Sequence, residues 1–177
     1  MDTHHHAGFT LLEIIVSIGI MGIISVVIVQ VFTTVLRFNT KLEITNGAKQ
    51  NGDLALEIMT RMIQGAQSIS SPCAASPGTT SPDVTFVGTD GGTTTFGCGL
   101  TGSAMRIASN SASYLTGSDV TIANTSGICT LQFICTSTPR GQSSIQIAFR
   151  LAQVGTTGSL YEIASIAFQT SVNVRNK

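Results

Sequence analysis

The chain has no tryptophan, two tyrosines and three histidines, and all three histidines fall at His4, His5 and His6. Beyond residue 6 there is no imidazole. A Ser-His-Asp or Cys-His catalytic group is therefore excluded from the body of the chain, as are the usual histidine-containing zinc centres. Charge is scarce too: 9 Lys and Arg stand against 9 Asp and Glu in 177 residues. No basic face is implied, so nucleic-acid binding has no electrostatic support. No Cys-x-x-Cys pair occurs, which leaves no close-spaced thiolate metal site. The carboxylates Asp83, Asp90 and Asp119 are scattered beside turn residues, and turn formation accounts for each. Gly88 to Gly102 is glycine-rich but lacks the strand–glycine–helix setting of a phosphate loop. Nothing here calls for a catalytic residue, a metal or another cofactor, and the chain is not expected to be an enzyme.

The most informative absence is of charge between Ile14 and Leu36. As a helix at about 1.5 Å per residue this run covers roughly 34 Å, enough for one membrane span with some tilt. It is too long for a secretory signal core, and no basic residue precedes it. At its head stands Gly8-Phe9-Thr10-Leu11-Leu12-Glu13, with one carboxylate set among apolar residues. A lone glutamate in lipid costs on the order of 3 kcal/mol unless it finds a partner. A plain anchor has no reason to keep it. Gly19 and Gly22 lie within the run, where they serve either close helix approach or local flexibility.

These residues resemble the processing site of type IV prepilins and type II secretion pseudopilins. The resemblance implies that a prepilin peptidase cuts after Gly8 and that Phe9 is then N-methylated. It also implies that Glu13 pairs with the terminal amine of a neighbouring subunit during assembly. Many major pilins carry a proline mid-span where this chain has Gln30, so the pattern points to a minor pilin or pseudopilin. A less specific resemblance follows the order of Leu54 to Ala66, Val84 to Phe86, Tyr114 to Val120 and Phe168 to Asn176. That order is similar to minor pilins of the J type. The partners implied are other pilins or pseudopilins, the prepilin peptidase, an inner-membrane assembly platform and membrane lipid, with no nucleic acid. The implied topology is single-pass, with a cytoplasmic N-terminus and an extracytoplasmic head that joins a surface filament. The alternative reading is a pilus-tip binding protein, an adhesin or DNA receptor.

After the span, apolar residues continue at three- and four-residue spacing. Ile44, Ala48, Ala55, Ile58, Met62, Ala66 and Ile69 form a stripe that Leu54, Met59 and Ile63 widen. This predicts helix as far as Ser70, with Asn46-Gly47 and Asn51-Gly52 as weak points. Ser70 to Pro82 reads as a loop. From Val84 the period becomes two. Val84 and Phe86 open a hairpin through Asp90-Gly91-Gly92 to Thr93–Phe96. Short strands follow near Met105 to Ala108 and Val120 to Ala123. A strand over Cys129 to Cys135 then turns at Pro139-Arg140-Gly141 into Ile145 to Leu151, and Phe168 to Val174 closes the chain. The expected fold class is α+β, a long N-terminal helix packed against an antiparallel sheet. The expected divisions are a leader at 1–8, a transmembrane helix at 9–36, its amphipathic continuation at 37–70 and a β-rich head at 71–177.

Cys73, Cys98, Cys129 and Cys135 all follow the span, and an even count in an exported domain reads as disulfides. If Cys129 to Cys135 is one strand, its ends lie about 20 Å apart. A bridge needs Cα atoms within roughly 7 Å, so those two cannot pair. Cys73–Cys129 with Cys98–Cys135, and Cys73–Cys135 with Cys98–Cys129, both stay open.

Overall fold

The structure, a computed structural model, describes residues 10–71, 73, 78–102, 104–122, 126–137, 143–154 and 165–173. The expected leader at 1–8, the expected turn at Pro139-Arg140-Gly141 and the expected end of the last strand at Val174 lie outside them. One helix, α1, runs uninterrupted over Leu11–Gln64. Among the described residues ten strands follow, all paired antiparallel. The class is α+β. By contacts the chain forms two units, Met1–Thr40 and Lys41–Lys177, and the second holds every buried core residue.

In the second unit, α1 buries Ala48, Gly52, Ala55, Met59 and Ile63. The spacing of four, three, four and four marks one helix face. This corrects the stripe expected from apolarity. Ile58 is only half-buried, and Leu54 and Met62 are exposed at 53% and 39%. The buried face is rotated because its centre is a glycine. A Cβ on Gly52 would fall within the ring of Phe168. Phe168 in turn stacks on Phe149, its cross-strand partner, with ring centroids 5.1 Å apart. A reading that looks for large apolar side chains passes over the position that admits the largest one.

The neighbouring Asn51 is also built into the packing. Its amide donates to the Gly47 carbonyl at 3.0 Å, and its Oδ1 accepts the Gly117 N–H at 2.8 Å. The Asn-Gly pairs therefore do not break the helix.

The helix ends at Gln64, not Ser70. The Gly65 N–H still reaches Arg61, the Ala66 N–H tightens to Ile63, and the Gln67 N–H leaves the helix for the Val87 carbonyl. Ser68–Ser71 is a strand, β1, and Ile69 pairs with Phe86. Ala66 and Ile69 still face the core, so the apolar stripe continues while the backbone changes.

The first sheet has the order β1-β3-β4-β5-β6, with β3 at Val84–Val87, β4 at Thr93–Thr101, β5 at Ala104–Ser109 and β6 at Ser113–Tyr114. The β3–β4 hairpin turns through Asp90-Gly91-Gly92, where Gly91 has φ 77° and the Asp90 carboxylate accepts the Gly92 N–H. The second sheet has the order β10-β9-β8-β2. Here β2 is Thr80–Ser81, inside the stretch expected to be loop. Strand β8 is Gln132–Ser137, β9 is Ser143–Gln153 and β10 is Ser165–Asn173. A short strand, β7 at Val120–Thr121, pairs with β9 and meets β5 through Met105. The alternating residues Leu131, Phe133 and Cys135, then Ile145, Ile147, Phe149 and Leu151, then Phe168 and Val172, turn into the core.

Cys73 is bonded to Cys135 and Cys98 to Cys129, with Cα separations of 5.2 and 6.4 Å. This is one of the two pairings that strand geometry leaves open. The strand itself is shorter than expected. It begins at Gln132, and the Thr130 hydroxyl takes a place in the ladder before it: it accepts the Arg150 N–H, and its one proton is within reach of the Ile122 carbonyl at 2.7 Å and the Arg150 carbonyl at 3.0 Å.

The β5–β6 turn carries two non-glycine residues with positive φ, Asn110 at 51° and Ser111 at 57°. Both angles suit the central positions of a type I′ turn, which the Ala112 N–H closes on the Ser109 carbonyl inside the three-residue connection between Ser109 and Ser113. Asn110 is compensated, since its side chain and N–H both bond to the Thr95 backbone. Ser111 makes no such bond among the described residues. Left-handed backbone costs an L-residue about 1–2 kcal/mol, part of which glycine returns as chain entropy. Ser111→Gly is therefore expected to stabilise the second unit by about 0.5–1 kcal/mol. Urea unfolding of both proteins tests this, and a lowered midpoint for the variant contradicts it.

Candidate functional site

The first unit is a helix with nothing packed on it among the described residues. Every residue from Leu11 to Phe38 is exposed, and the segment is long and apolar enough to cross a membrane. Its hydroxyls are already satisfied. Ser17 donates to the Glu13 carbonyl, Ser25 to Met21, Thr33 and Thr34 to Gln30, and Thr40 to Leu36. Lipid offers no hydrogen bonds, so such internal bonding suits the hydrocarbon region.

The helix starts through Thr10. Its carbonyl accepts the N–H groups of Glu13 and Ile14 at 3.1 and 3.3 Å, and its Oγ1 also accepts the Glu13 N–H at 3.3 Å. Thr10 is thus the N-cap and Glu13 the third residue of the helix. The cap places Glu13 in the first turn, where the helix dipole favours a negative charge. Its carboxylate has no hydrogen-bond or ion-pair partner among the described residues. The prepilin resemblance gives Thr10 no part in this. The signal was present, because Thr-x-x-Glu before an apolar run is a capping-box pattern.

Gly8 and Phe9 lie outside the described residues. Glu13 belongs to the first unit, and Cys73, Cys98, Cys129 and Cys135 to the second, where they stand joined in pairs. Among the described residues no group of three or more His, Cys, Asp or Glu could hold a metal.

The family described as the prokaryotic N-terminal methylation motif matches residues 3–29. This motif supports the type IV prepilin and pseudopilin family. The match spans Gly8, Phe9, Thr10 and Glu13 together with most of the exposed apolar run. No curated protein and no solved structure matches. Proteins of that family interact with other pilins, are processed by a prepilin peptidase and are structural rather than enzymatic. The long apolar N-terminal helix fits a single-pass, membrane-anchored pilin.

Proposed function

We propose that this chain is a minor type IV pilin or pseudopilin, a membrane-held subunit that inserts into, primes or caps a pilus-like filament. On this reading residues 1–8 are a leader cut off after Gly8, Phe9 becomes the methylated N-terminus, and the exposed helix is the membrane anchor. The head is extracytoplasmic. The observation that carries the reading is Glu13, a carboxylate without a described partner, capped into the first turn of a helix that is otherwise apolar and bare. In lipid such a charge is costly alone and favourable beside an amine. A neighbouring subunit's N-terminal amine would neutralise it, and the pairing would set axial register as well as attraction. Gln30 in place of a mid-span proline supports a minor rather than a filament-forming role.

Two measurements test this. The intact mass of protein from cells that contain the peptidase is expected to show loss of Met1 to Gly8 and gain of one methyl group. A mature chain that starts elsewhere, such as near Thr33, overturns the cleavage site. Second, Glu13→Gln is expected to leave membrane insertion intact. Its incorporation into filaments should fall by roughly tenfold or more, equivalent to about 1.4 kcal/mol of lost pairing. Equal incorporation at equal membrane levels would show that the charge is dispensable.

A further inference from the structure

The polar side chains of the apolar run are not all satisfied within their own helix. Ser17, Ser25, Thr33 and Thr34 bond to carbonyls of α1, and the last two both donate to the main-chain carbonyl of Gln30. The carboxamide of Gln30 is different. It is exposed, and among the described residues it has no hydrogen bond. Gln30 stands about 9 Å inside the C-terminal end of the uncharged run, at about 1.5 Å per residue. Helical side chains tilt towards the helix N-terminus, so this one leans away from the nearer boundary and deeper into the span. Two N–H donors and one acceptor oxygen are thus left in hydrocarbon, where no water serves them.

We propose that Gln30 is the contact through which two copies of this chain pair in the membrane, helix parallel to helix. The inference rests on the reading of this helix as a membrane anchor. One membrane holds both copies in the same sense, so their Gln30 residues stand at one depth. A carboxamide complements itself, each donating an N–H to the other's oxygen. Another membrane helix serves only if it carries a donor and an acceptor at this depth; a copy does so by construction. A seam of heptad spacing passes through the position: Val16, Gly19, Ile23, Val26, Gln30 and Thr33 follow at alternate steps of three and four. It carries no charge. Val16 and Ile23, which share Gln30's heptad position, are β-branched, and a single polar residue in that position fixes register between paired helices. Gly19 lies about three turns from Gln30 on the same face. A Cβ there would meet nothing within 4 Å, which leaves room for the partner's backbone. Arg37 follows one heptad on, beyond the run, where its long side chain reaches headgroups and water. Glu13 stands about 100° round the helix from Gln30, so the pair leaves it free for a different neighbour.

The test uses the full chain in membranes with one added cysteine, the four native ones being joined in disulfides. On mild oxidation Ile23→Cys, on the seam, is expected to give a disulfide-linked dimer. Its yield should be roughly tenfold that of Ile28→Cys, which lies about 160° round the helix from Gln30. Adding Gln30→Leu to Ile23→Cys is expected to reduce the dimer by about fivefold or more, the size of an interhelical hydrogen bond. Adding Gln30→Asn instead, which keeps the amide, is expected to retain most of it. All these positions are exposed in the first unit, so the head folds alike in each variant. The same membranes are washed with alkaline carbonate. A chain that washes out overturns the anchor reading and the pair together. A chain that stays in the membrane overturns the pair alone by any of four results: no dimer, equal dimer from Ile28→Cys, a crosslink to another protein, or equal yields with Gln30, Leu and Asn at position 30 or equal losses with Leu and Asn.

Discussion

Gly52→Ala is expected to destabilise the second unit by about 2–3 kcal/mol, although alanine is the better helix former by about 1 kcal/mol. The added methyl has no space, because it would occupy the ring of Phe168. That ring cannot swing away freely: it is buried, stacked on Phe149 and carried on a strand paired along its length. Relief requires the helix or β10 to move, and packed interiors resist such shifts. Gly47→Ala is the control with opposite sign. A Cβ there meets nothing within 4 Å, so the variant is expected to gain up to about 1 kcal/mol. Adding Phe168→Leu to Gly52→Ala is expected to recover part of the loss, since the smaller side chain vacates the socket. Urea unfolding of the Lys41–Lys177 segment, which contains the whole described core, measures all three. A Gly52→Ala protein as stable as Gly47→Ala would show that the Phe168 socket does not constrain the helix.

Removing the disulfides is expected to have the larger effect. The Cys73–Cys135 bridge closes 62 residues and the Cys98–Cys129 bridge closes 31 within it. Chain entropy alone assigns loops of these lengths about 4 kcal/mol each. Because the loops are nested, the two contributions are not expected to add in full. Both bridges join the first sheet or its β1 exit to β8 or the residues just before it, so each also holds the two sheets over the helix. Cys73→Ser with Cys135→Ser, and Cys98→Ser with Cys129→Ser, are each expected to lower unfolding free energy by about 2–4 kcal/mol. Removing all four thiols is expected to leave the segment largely unfolded at 37 °C, given total stabilities of about 5–15 kcal/mol for such domains. Denaturant unfolding under non-reducing conditions tests this. A variant lacking one bridge that loses less than about 1 kcal/mol would show that the loop is already ordered without it.

The sequence alone determined the long apolar run, the helix-then-strands order and the N-terminal methylation motif. A helix periodicity or an apolar run is a local property, and the methylation motif lies within residues 3–29. The β3–β4 hairpin was legible for the same reason, since Asp-Gly-Gly between alternating strands is local turn chemistry. The cysteine count and the geometry of a strand reduced the pairings to two. Choosing between them needed the tertiary structure, because it depends on which sheet each cysteine reaches. Only the tertiary structure decided the core face of the helix. Glycine carries no hydrophobic signal, and Gly52 is central because Phe168, far along the chain, fills the space it leaves. It alone decided the helix end at Gln64, where the Gln67 N–H found a carbonyl on β3 rather than one in the helix. It also placed β10 at the end of its sheet among the described residues, since an edge is defined by the strands that do not pair with it. Local chemistry set what each segment could form. Long-range packing chose between forms of similar local energy.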